Sequence, residues 1–304
     1  MESYLIDFLA QIDSTHTRRA YRTDIADFFG LEEGENLEKS QIARVNSGQV
    51  RSHIRMLQTE GKAVSTQRRR LSALRRFFDW LRNQDIIQRN PARECRIDFS
   101  DVTPAAQQKA ADLSVLTKAE TEQLIQATET AGEAATRNKG IILIILYAAL
   151  RRSEVAAMDV SHVRPLGRHW VVDVPAGDGW SSAYVKVPET VIEAIDAVQS
   201  RYGIDEGALW RSLSNRNRGN RMTPDAIYKM VRRTGREANL GEVTVETLRQ
   251  TGLYLAMKHG ATIQHVQVHA RLQSASSVER YIDPDDRPGR LSEGAPDDFI
   301  DLNF

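Results

Sequence analysis

Apolar residues in the first 95 positions recur every three to four residues, which is the spacing of one buried face of an α-helix. Capping residues divide this stretch into four predicted helices. The first lies near the N-terminus, and the others begin at Ser14 or Thr15, at Asn46 or Ser47, and at Ser65, with Gly30 expected to end the second. Asn90 and Pro91 are expected to close the fourth helix. Because no segment here alternates like a strand, the pattern predicts a compact helical bundle.

A different pattern begins after residue 95. Positions 96–114 are rich in Ala, Gln and Asp and contain Pro104, which is typical of an exposed linker. The apolar run at 141–150 predicts a buried helix, because it is about half as long as a membrane span. Alternating residues at 170–174 and 184–188 then predict a small β-hairpin, after which helical spacing returns.

Together these patterns predict a mainly α-helical protein with a small β-hairpin or sheet. We expect a helical domain at 1–95, a linker at 96–114, a second domain at 115–290 and a tail at 291–304. The tail alternates acidic and apolar residues, and exposed segments of that kind often dock on a partner surface.

The net charge gives no indication of a partner, because 41 Lys and Arg balance 41 Asp and Glu among 304 residues. Cys95 is the only cysteine, which excludes an intrachain disulfide or a cysteine-rich metal site and favours a reducing, intracellular compartment. Glu2 and Asp7 stand where a secretory signal would carry positive charge. We therefore expect a cytoplasmic protein without a membrane segment.

The charge is nevertheless unevenly distributed. Between positions 51 and 96, twelve basic residues stand against four acidic ones. Arg68, Arg75 and Arg82 recur every seven residues on a helix face away from the apolar positions, so their guanidinium groups can follow a phosphate backbone. A solvated helix face is the alternative, although such faces normally mix both signs of charge. The DNA-binding candidates of this first basic face are Arg68, Arg69, Arg75, Arg76 and Arg82.

A second basic face is predicted in the C-terminal domain, where a run of arginines leads into a basic helix. Two basic faces separated by a linker suit a clamp around double-stranded DNA. Aromatic residues are sparse in both faces, which argues against a platform that stacks single-stranded bases. The DNA-binding candidates of this second basic face are Arg216, Arg218, Arg221, Lys229, Arg232 and Arg233.

Three short motifs follow one another in the C-terminal domain. They read Ala-Leu-Arg-Arg-Ser-Glu at 149–154, Glu-Thr-Leu-Arg-Gln-Thr at 246–251 and Ser-Ala-Ser-Ser-Val-Glu-Arg-Tyr at 274–281. In order and spacing they resemble the two arginine boxes and the nucleophile segment of the tyrosine recombinase, or phage integrase, family. Positions 69–78 and the Asn-Pro pair at 90–91 resemble that family's core-binding domain. The resemblance covers nearly the whole chain, and four motifs in the right order are specific.

The resemblance implies DNA strand exchange through a covalent 3′-phosphotyrosyl intermediate at Tyr281. It implies that Arg151 and Arg249 bind the non-bridging phosphate oxygens, where negative charge develops, and that Glu154 orients Arg151. No metal ion or other cofactor is expected for this chemistry. Without the ordered motifs, the two arginines would be interpreted as structural ion-pair partners and the tyrosine as a packed aromatic.

Four positions depart from the family pattern. The hairpin turn at 177–182 has Trp180 and no lysine to act as general acid, and Glu246 and Gln250 stand where the family has basic residues around the second arginine. Leu272 replaces the His or Trp that is usual nine residues before the nucleophile. Losing one proton-transfer group typically costs about two to four orders of magnitude in rate. These substitutions therefore predict weakened strand cleavage.

Three functions agree with the resemblance. The first is an active site-specific recombinase that assembles on double-stranded DNA as a homo- or hetero-oligomer, either a dimer or a tetramer. The second is a catalytically reduced homologue that targets or shapes DNA and recruits other recombination or transposition proteins. The third is a monomeric, topoisomerase-like nicking and closing enzyme. We expect a nucleoid-associated protein, and in an oligomer we expect the tail residues Phe299, Ile300 and Leu302 to dock on a neighbouring protomer.

Overall fold

The computed structural model describes residues 4–32, 35, 37–95, 115–175 and 183–272. The chain divides into two compact units, 1–111 and 112–304, each with its own hydrophobic core. The predicted linker at 96–114, the hairpin turn and the tail lie outside the described residues. The described part of the chain is mostly helical and contains a small three-stranded sheet, as the sequence predicts.

The N-terminal unit is a bundle of helices, as the spacing of its apolar residues predicts. Leu74, Phe77 and Phe78 of the longest helix are fully buried at its centre. The ring of Phe8 meets that of Phe77 edge-on, with 5.2 Å between the centroids. The helices are α1 (Tyr4–Ala10), α2 (Thr15–Phe29), α3 (Lys39–Ala43), α4 (Ser47–Thr59), α5 (Val64–Asn83) and α6 (Pro91–Glu94).

Helix boundaries in this unit follow the predicted caps in α2 and α4. The side chain of Ser14 accepts a hydrogen bond from the backbone of Thr17, and Gly30 ends α2 in the left-handed conformation that glycine adopts without strain. The side chain of Asn46 accepts from the backbone of Gln49 and caps α4. Local capping chemistry therefore accounts for where both helices begin and for where α2 ends.

Other boundary predictions are wrong. The fourth predicted helix begins at Val64, not at Ser65, and ends at Asn83. Asn90 and Pro91 do not close it; they open α6, where the Asn90 side chain accepts hydrogen bonds from two backbone amides of the first turn. Proline suits this position because the amide hydrogen that it lacks would have no partner within the helix. Helix α3 was not predicted, since five residues are too few to show a period.

The C-terminal unit is organised around one helix, α8, in which every side chain from Ile141 to Ala148 is buried. This confirms the predicted buried helix. The unit contains α7 (Lys118–Ala127), a 3₁₀ helix (Thr128–Ala134), α8 (Ala135–Ala148), α9 (Arg152–Ala157), a second 3₁₀ helix (Val160–His162), β1 (Val163–Leu166), β2 (His169–Asp173), β3 (Tyr184–Val187), α10 (Glu189–Tyr202), α11 (Pro224–Glu237), α12 (Val245–Lys258) and α13 (Ile263–His269).

The sheet is an antiparallel meander in the order β1-β2-β3. Strands β2 and β3 form the predicted hairpin, with Trp170 opposite Val187. Strand β1 was not predicted, because Arg164 and Pro165 interrupt the alternation of apolar and polar residues. A proline is tolerated there since β1 is an edge strand and does not need every amide hydrogen.

Helices α8 and α12 approach each other unusually closely. A β-carbon at Gly252 of α12 would overlap the backbone carbonyl of Leu146 in α8. Glycine permits this contact because it has no side chain. The contact fixes the spacing between α8, which leads into Arg151, and α12, which carries Arg249.

Candidate active site

Arg151 lies at a sharp corner between α8 and α9. Ala149 makes the corner by adopting the left-handed conformation, with φ of 48°. Glu154, in the first turn of α9, accepts hydrogen bonds from the backbone nitrogen and from Nη1 of Arg151, each at 2.7 Å. The side chain of Arg151 remains 41% exposed. Glu154 thus fixes the direction of this guanidinium group and leaves it accessible from solvent.

Arg249 on α12 is bound to the same corner from inside the unit. Its Nε donates to the carbonyl oxygen of Ala149 at 2.9 Å, and its Nη2 donates to that of Ala270 at 2.9 Å. The side chain is only 6% exposed. The structure therefore brings together three of the predicted site residues, Arg151, Glu154 and Arg249.

A third arginine, Arg271, belongs to this cluster and was missed by the sequence analysis. It follows α13 in the left-handed conformation, with φ of 54°. Its Nη2 donates to Oε2 of Glu154 at 2.9 Å and to the carbonyl oxygen of Ala149 at 3.0 Å. Burial lowers the pKa of its guanidinium group, and the nearby carboxylate of Glu154 opposes that effect. The sequence offers one indication of its role: Arg271 directly precedes Leu272, a position that departs from the family pattern.

The two histidines near this segment have structural roles. His265 completes the N-terminal cap of α13, where its backbone nitrogen donates to the hydroxyl of Thr262. His269 is buried, and its Nε2 lies 2.7 Å from the carbonyl oxygen of Tyr147. Burial lowers the pKa of His269 to about 4. This imidazole is therefore neutral near pH 7 and donates its Nε2 hydrogen to the carbonyl.

The positions that depart from the family pattern have distinct surroundings. Oε2 of Glu246 lies 3.6 Å from Nη1 of Arg249, and Oε1 accepts a hydrogen bond from Gln250. Leu272 is partly buried against the core of the unit. Trp180 and Tyr281 lie outside the described residues. In the described part of the site, the clearest change from the pattern is thus a carboxylate beside the second arginine.

Several arginines of the first basic face form ion pairs or hydrogen bonds within the N-terminal unit. Arg69 forms an ion pair with the buried Asp24. Burial raises the pKa of that carboxyl, against the effect of the arginines. Arg75 is half-buried and donates to the carbonyl oxygen of Ala92 at 3.1 Å. Arg82 is exposed and its Nη2 lies 3.4 Å from Oδ1 of Asp79. Arg68 and Arg76 are exposed as well.

In the second basic face most candidates also have acidic partners. Arg218 makes a two-point ion pair with Glu133, which holds the pKa of that carboxyl below its usual range. Arg216 is exposed. The remaining pairs are Arg221 with Asp159, Lys229 with Asp225, Arg232 with Glu242, and Arg233 with Glu237. These side chains must exchange partners before they can bind phosphate.

Residues 114–287, more than half of the chain, match the phage integrase family. The chain belongs to this family of tyrosine recombinases. Residues 1–85 match the N-terminal SAM-like domain of phage integrases. Among integrase relatives, the tyrosine recombinase XerC of Thermodesulfovibrio yellowstonii is 26% identical over 293 residues, which cover 91% of this chain and 90% of that protein. The tyrosine recombinase XerD of Oceanobacillus iheyensis is 22% identical over 265 residues, 84% of this chain and 82% of that protein.

Solved structures of integrases share the fold. A lambda integrase dimer bound to a COC′ core site has a TM-score of 0.68 at 16% identity, covering 96% of this chain and 99% of that one. The XerH site-specific recombinase bound to a palindromic difH substrate has a TM-score of 0.64 at 14% identity, covering 92% and 91%. In the part of this integrase chain that the structure describes, no helix is both long and apolar enough to cross a membrane.

Proposed function

We propose that this chain binds specific sites on double-stranded DNA and exchanges strands through a 3′-phosphotyrosyl intermediate at Tyr281. The observation that carries the proposal is the corner at Ala149, around which two arginines are held. Arg249 donates to the Ala149 carbonyl oxygen, and Arg151 follows two residues later with an exposed guanidinium group. Arg151 suits a non-bridging phosphate oxygen because guanidinium binds oxyanions at two points. Arg249, whose Nε and Nη2 are bound to carbonyl oxygens, offers its Nη1 beside Glu246.

In the proposed reaction the hydroxyl oxygen of Tyr281 attacks the scissile phosphorus, and the bond from phosphorus to the 5′ oxygen breaks. Tyrosine loses one proton and the 5′ oxygen gains one, so the step is balanced. Arg151 and Arg249 stabilise the negative charge that builds on the non-bridging oxygens. The phosphotyrosyl bond then conserves the energy for religation by a 5′ hydroxyl, and neither a metal ion nor a nucleotide is required.

We propose that exposed side chains of both basic faces, among them Arg68, Arg76 and Arg216, bind the DNA backbone. Lambda integrase forms a dimer on a core site and a tetramer on a Holliday junction. By analogy we propose that this chain assembles on DNA in the same numbers, with the C-terminal tail docked on a neighbouring protomer. We accordingly propose that the chain is associated with the nucleoid.

A second candidate is a DNA-targeting protein with reduced chemistry that recruits other recombination or transposition proteins. The observation that favours it is Glu246, whose carboxylate lies 3.6 Å from Arg249. A carboxylate there opposes a phosphate and partly neutralises the guanidinium group that should bind it. With Trp180 in place of a general acid, cleavage is then slow while DNA binding is retained.

A suicide substrate separates the two candidates. Bound duplexes are first selected from a random library, and the preferred site is then nicked close to each possible cleavage position. We expect an adduct between protein and DNA that survives denaturation, forms in the presence of EDTA, and is absent in Tyr281→Phe. Tyr254→Phe, which alters a half-buried tyrosine on α12, is the matched control and should retain the adduct.

The outcomes differ clearly. Tight, site-specific binding by the native protein without any adduct would reject strand exchange and support the DNA-targeting function. An adduct that persists in Tyr281→Phe would mean that another residue is the nucleophile. Absence of site-specific binding would reject both candidates.

A further inference from the structure

Three carbonyl oxygens at the C-terminal end of α8 are bound by side chains from the end of α13 and just beyond it. His269 donates to Tyr147 at 2.7 Å, and Arg271 donates to Ala148 at 3.4 Å and to Ala149 at 3.0 Å. The last carbonyls of a helix have no partners within it and carry partial negative charge. This helix end therefore favours a buried cation.

Arg271 is held there in a strained backbone conformation. Its φ of 54° lies in the left-handed region, which costs free energy for any residue with a β-carbon. Glycine would make the same turn without strain. The arginine conformation is stable because the guanidinium group is bound on several sides, including the carbonyl oxygen of His269 at 3.0 Å and the carboxylate of Glu154 at 2.9 Å.

Glu154 connects Arg271 to Arg151. Its Oε2 accepts from Arg271 and from the backbone of Arg151, and its Oε1 accepts from Nη1 of Arg151. A carboxylate as buried as that of Glu154 needs charged partners to remain in place. Without Arg271, Oε2 would keep only the backbone bond, and the carboxylate would hold Arg151 less firmly.

Exposure assigns different roles to the two arginines. The side chain of Arg271 is 6% exposed and its Nη atoms are already bound, whereas that of Arg151 is 41% exposed. Arg151 can therefore contact DNA. Arg249 is as buried as Arg271 but has Nη1 beside the exposed Glu246 at 3.6 Å, whereas both Nη atoms of Arg271 are bound, so Arg271 acts through its neighbours. We propose that Arg271 is a positioning residue, which holds Glu154 and through it keeps the guanidinium group of Arg151 directed at the scissile phosphate. This inference rests on the proposed function, because it requires Arg151 to bind that phosphate.

The test compares two duplexes that differ at one group. One carries the normal scissile phosphate of the selected site, and the other carries an uncharged methylphosphonate there. We expect the native protein to prefer the phosphate by roughly tenfold or more, the scale of a hydrogen bond to a charged group. In Arg271→Gly we expect this preference to fall to about threefold or less, with little change in the affinity for the methylphosphonate duplex.

Three further variants isolate the cause. Asn239→Gly removes a side chain at another left-handed position, φ 55°, in the same unit, and should leave the preference unchanged. In a Glu154→Gln background, Arg271→Gly should have no additional effect, because the connection to Arg151 is already weakened. Arg271→Lys keeps the charge and should restore part of the preference. If Arg271→Gly does not fold, Arg271→Asn serves instead, since asparagine tolerates this conformation.

The result separates the positioning role from the proposed function. A native preference that is equal in Arg271→Gly would overturn the positioning role alone. Equal losses of affinity for both duplexes would overturn it as well, because they indicate a general structural role. A native protein that does not distinguish the duplexes would overturn both ideas, since Arg151 would then not bind the phosphate.

Discussion

The buried imidazole of His269 makes the stability of the C-terminal unit depend on pH. Burial lowers the pKa of this group to about 4, with smaller contributions from the charges of Arg271 and Arg249. In the unfolded chain the pKa returns to about 6.5. Between these values the unfolded chain binds a proton that the folded chain does not, so stability is complete above about pH 7 and falls as the pH decreases towards 4.

The size of the effect follows from the two pKa values. The full difference between 6.5 and about 4 corresponds to roughly 3 kcal/mol. Between pH 7 and pH 5, where most of the proton uptake by the unfolded chain occurs, the expected loss is about 2 kcal/mol. Carboxyl groups also titrate towards pH 5, and their contribution must be removed by comparison with a variant.

His269→Gln supplies that comparison, because an amide can still donate to the carbonyl oxygen of Tyr147 but does not titrate. Urea unfolding at pH 7, 6 and 5 can be followed by tryptophan fluorescence, to which the fully buried Trp210 of the same unit contributes. We expect the native protein to lose about 2 kcal/mol more than the variant between pH 7 and pH 5. Parallel pH profiles for the two proteins would refute the reasoning.

Other substitutions test the basic face, the acidic departure and the helix contact. Asp79→Asn removes the acidic partner that Arg82 shares with Arg93 and should steepen the salt dependence of DNA affinity by about one charge; an unchanged slope in NaCl titrations would exclude both arginines from the interface. Glu246→Gln should raise DNA affinity at low salt by up to about fivefold, the scale of an exposed ion pair, and equal anisotropy curves would contradict this. Gly252→Ala should reduce the free energy of unfolding by roughly 1–3 kcal/mol in urea, because its β-carbon meets Leu146; native stability would show that the helices can separate.

The helices could be predicted because their determinants are local. Ser14, Gly30 and Asn46 act within one turn of the helix ends that they define, and α8 is buried on every side from Ile141 to Ala148. Strand β1 was not predicted because its own sequence lacks a strand pattern. It is a strand because it pairs with β2. The role of Asn90 was misjudged for a related reason, since an Asn-Pro pair can precede a helix as well as follow one.

The candidate site was predictable only in part. The motifs indicate Arg151, Glu154 and Arg249, and the structure brings these three together. The contribution of Arg271 depends on a backbone turn and on partners more than 100 positions away in the chain, which no local pattern contains.

The basic faces show the same limit. A count of charges within a window misses Asp24, 45 positions from Arg69, and Glu133, 85 positions from Arg218.

The contact between Gly252 and Leu146 also matters for protein engineering. Because the backbones of α8 and α12 are in contact at this point, a side chain added at position 252 would push apart the helices next to Arg151 and Arg249. Libraries that vary the exposed basic residues leave this backbone contact unchanged. Libraries that vary position 252 or the buried Leu146 would disturb the packing between α8 and α12. Such libraries would mainly select variants that restore the packing of the core.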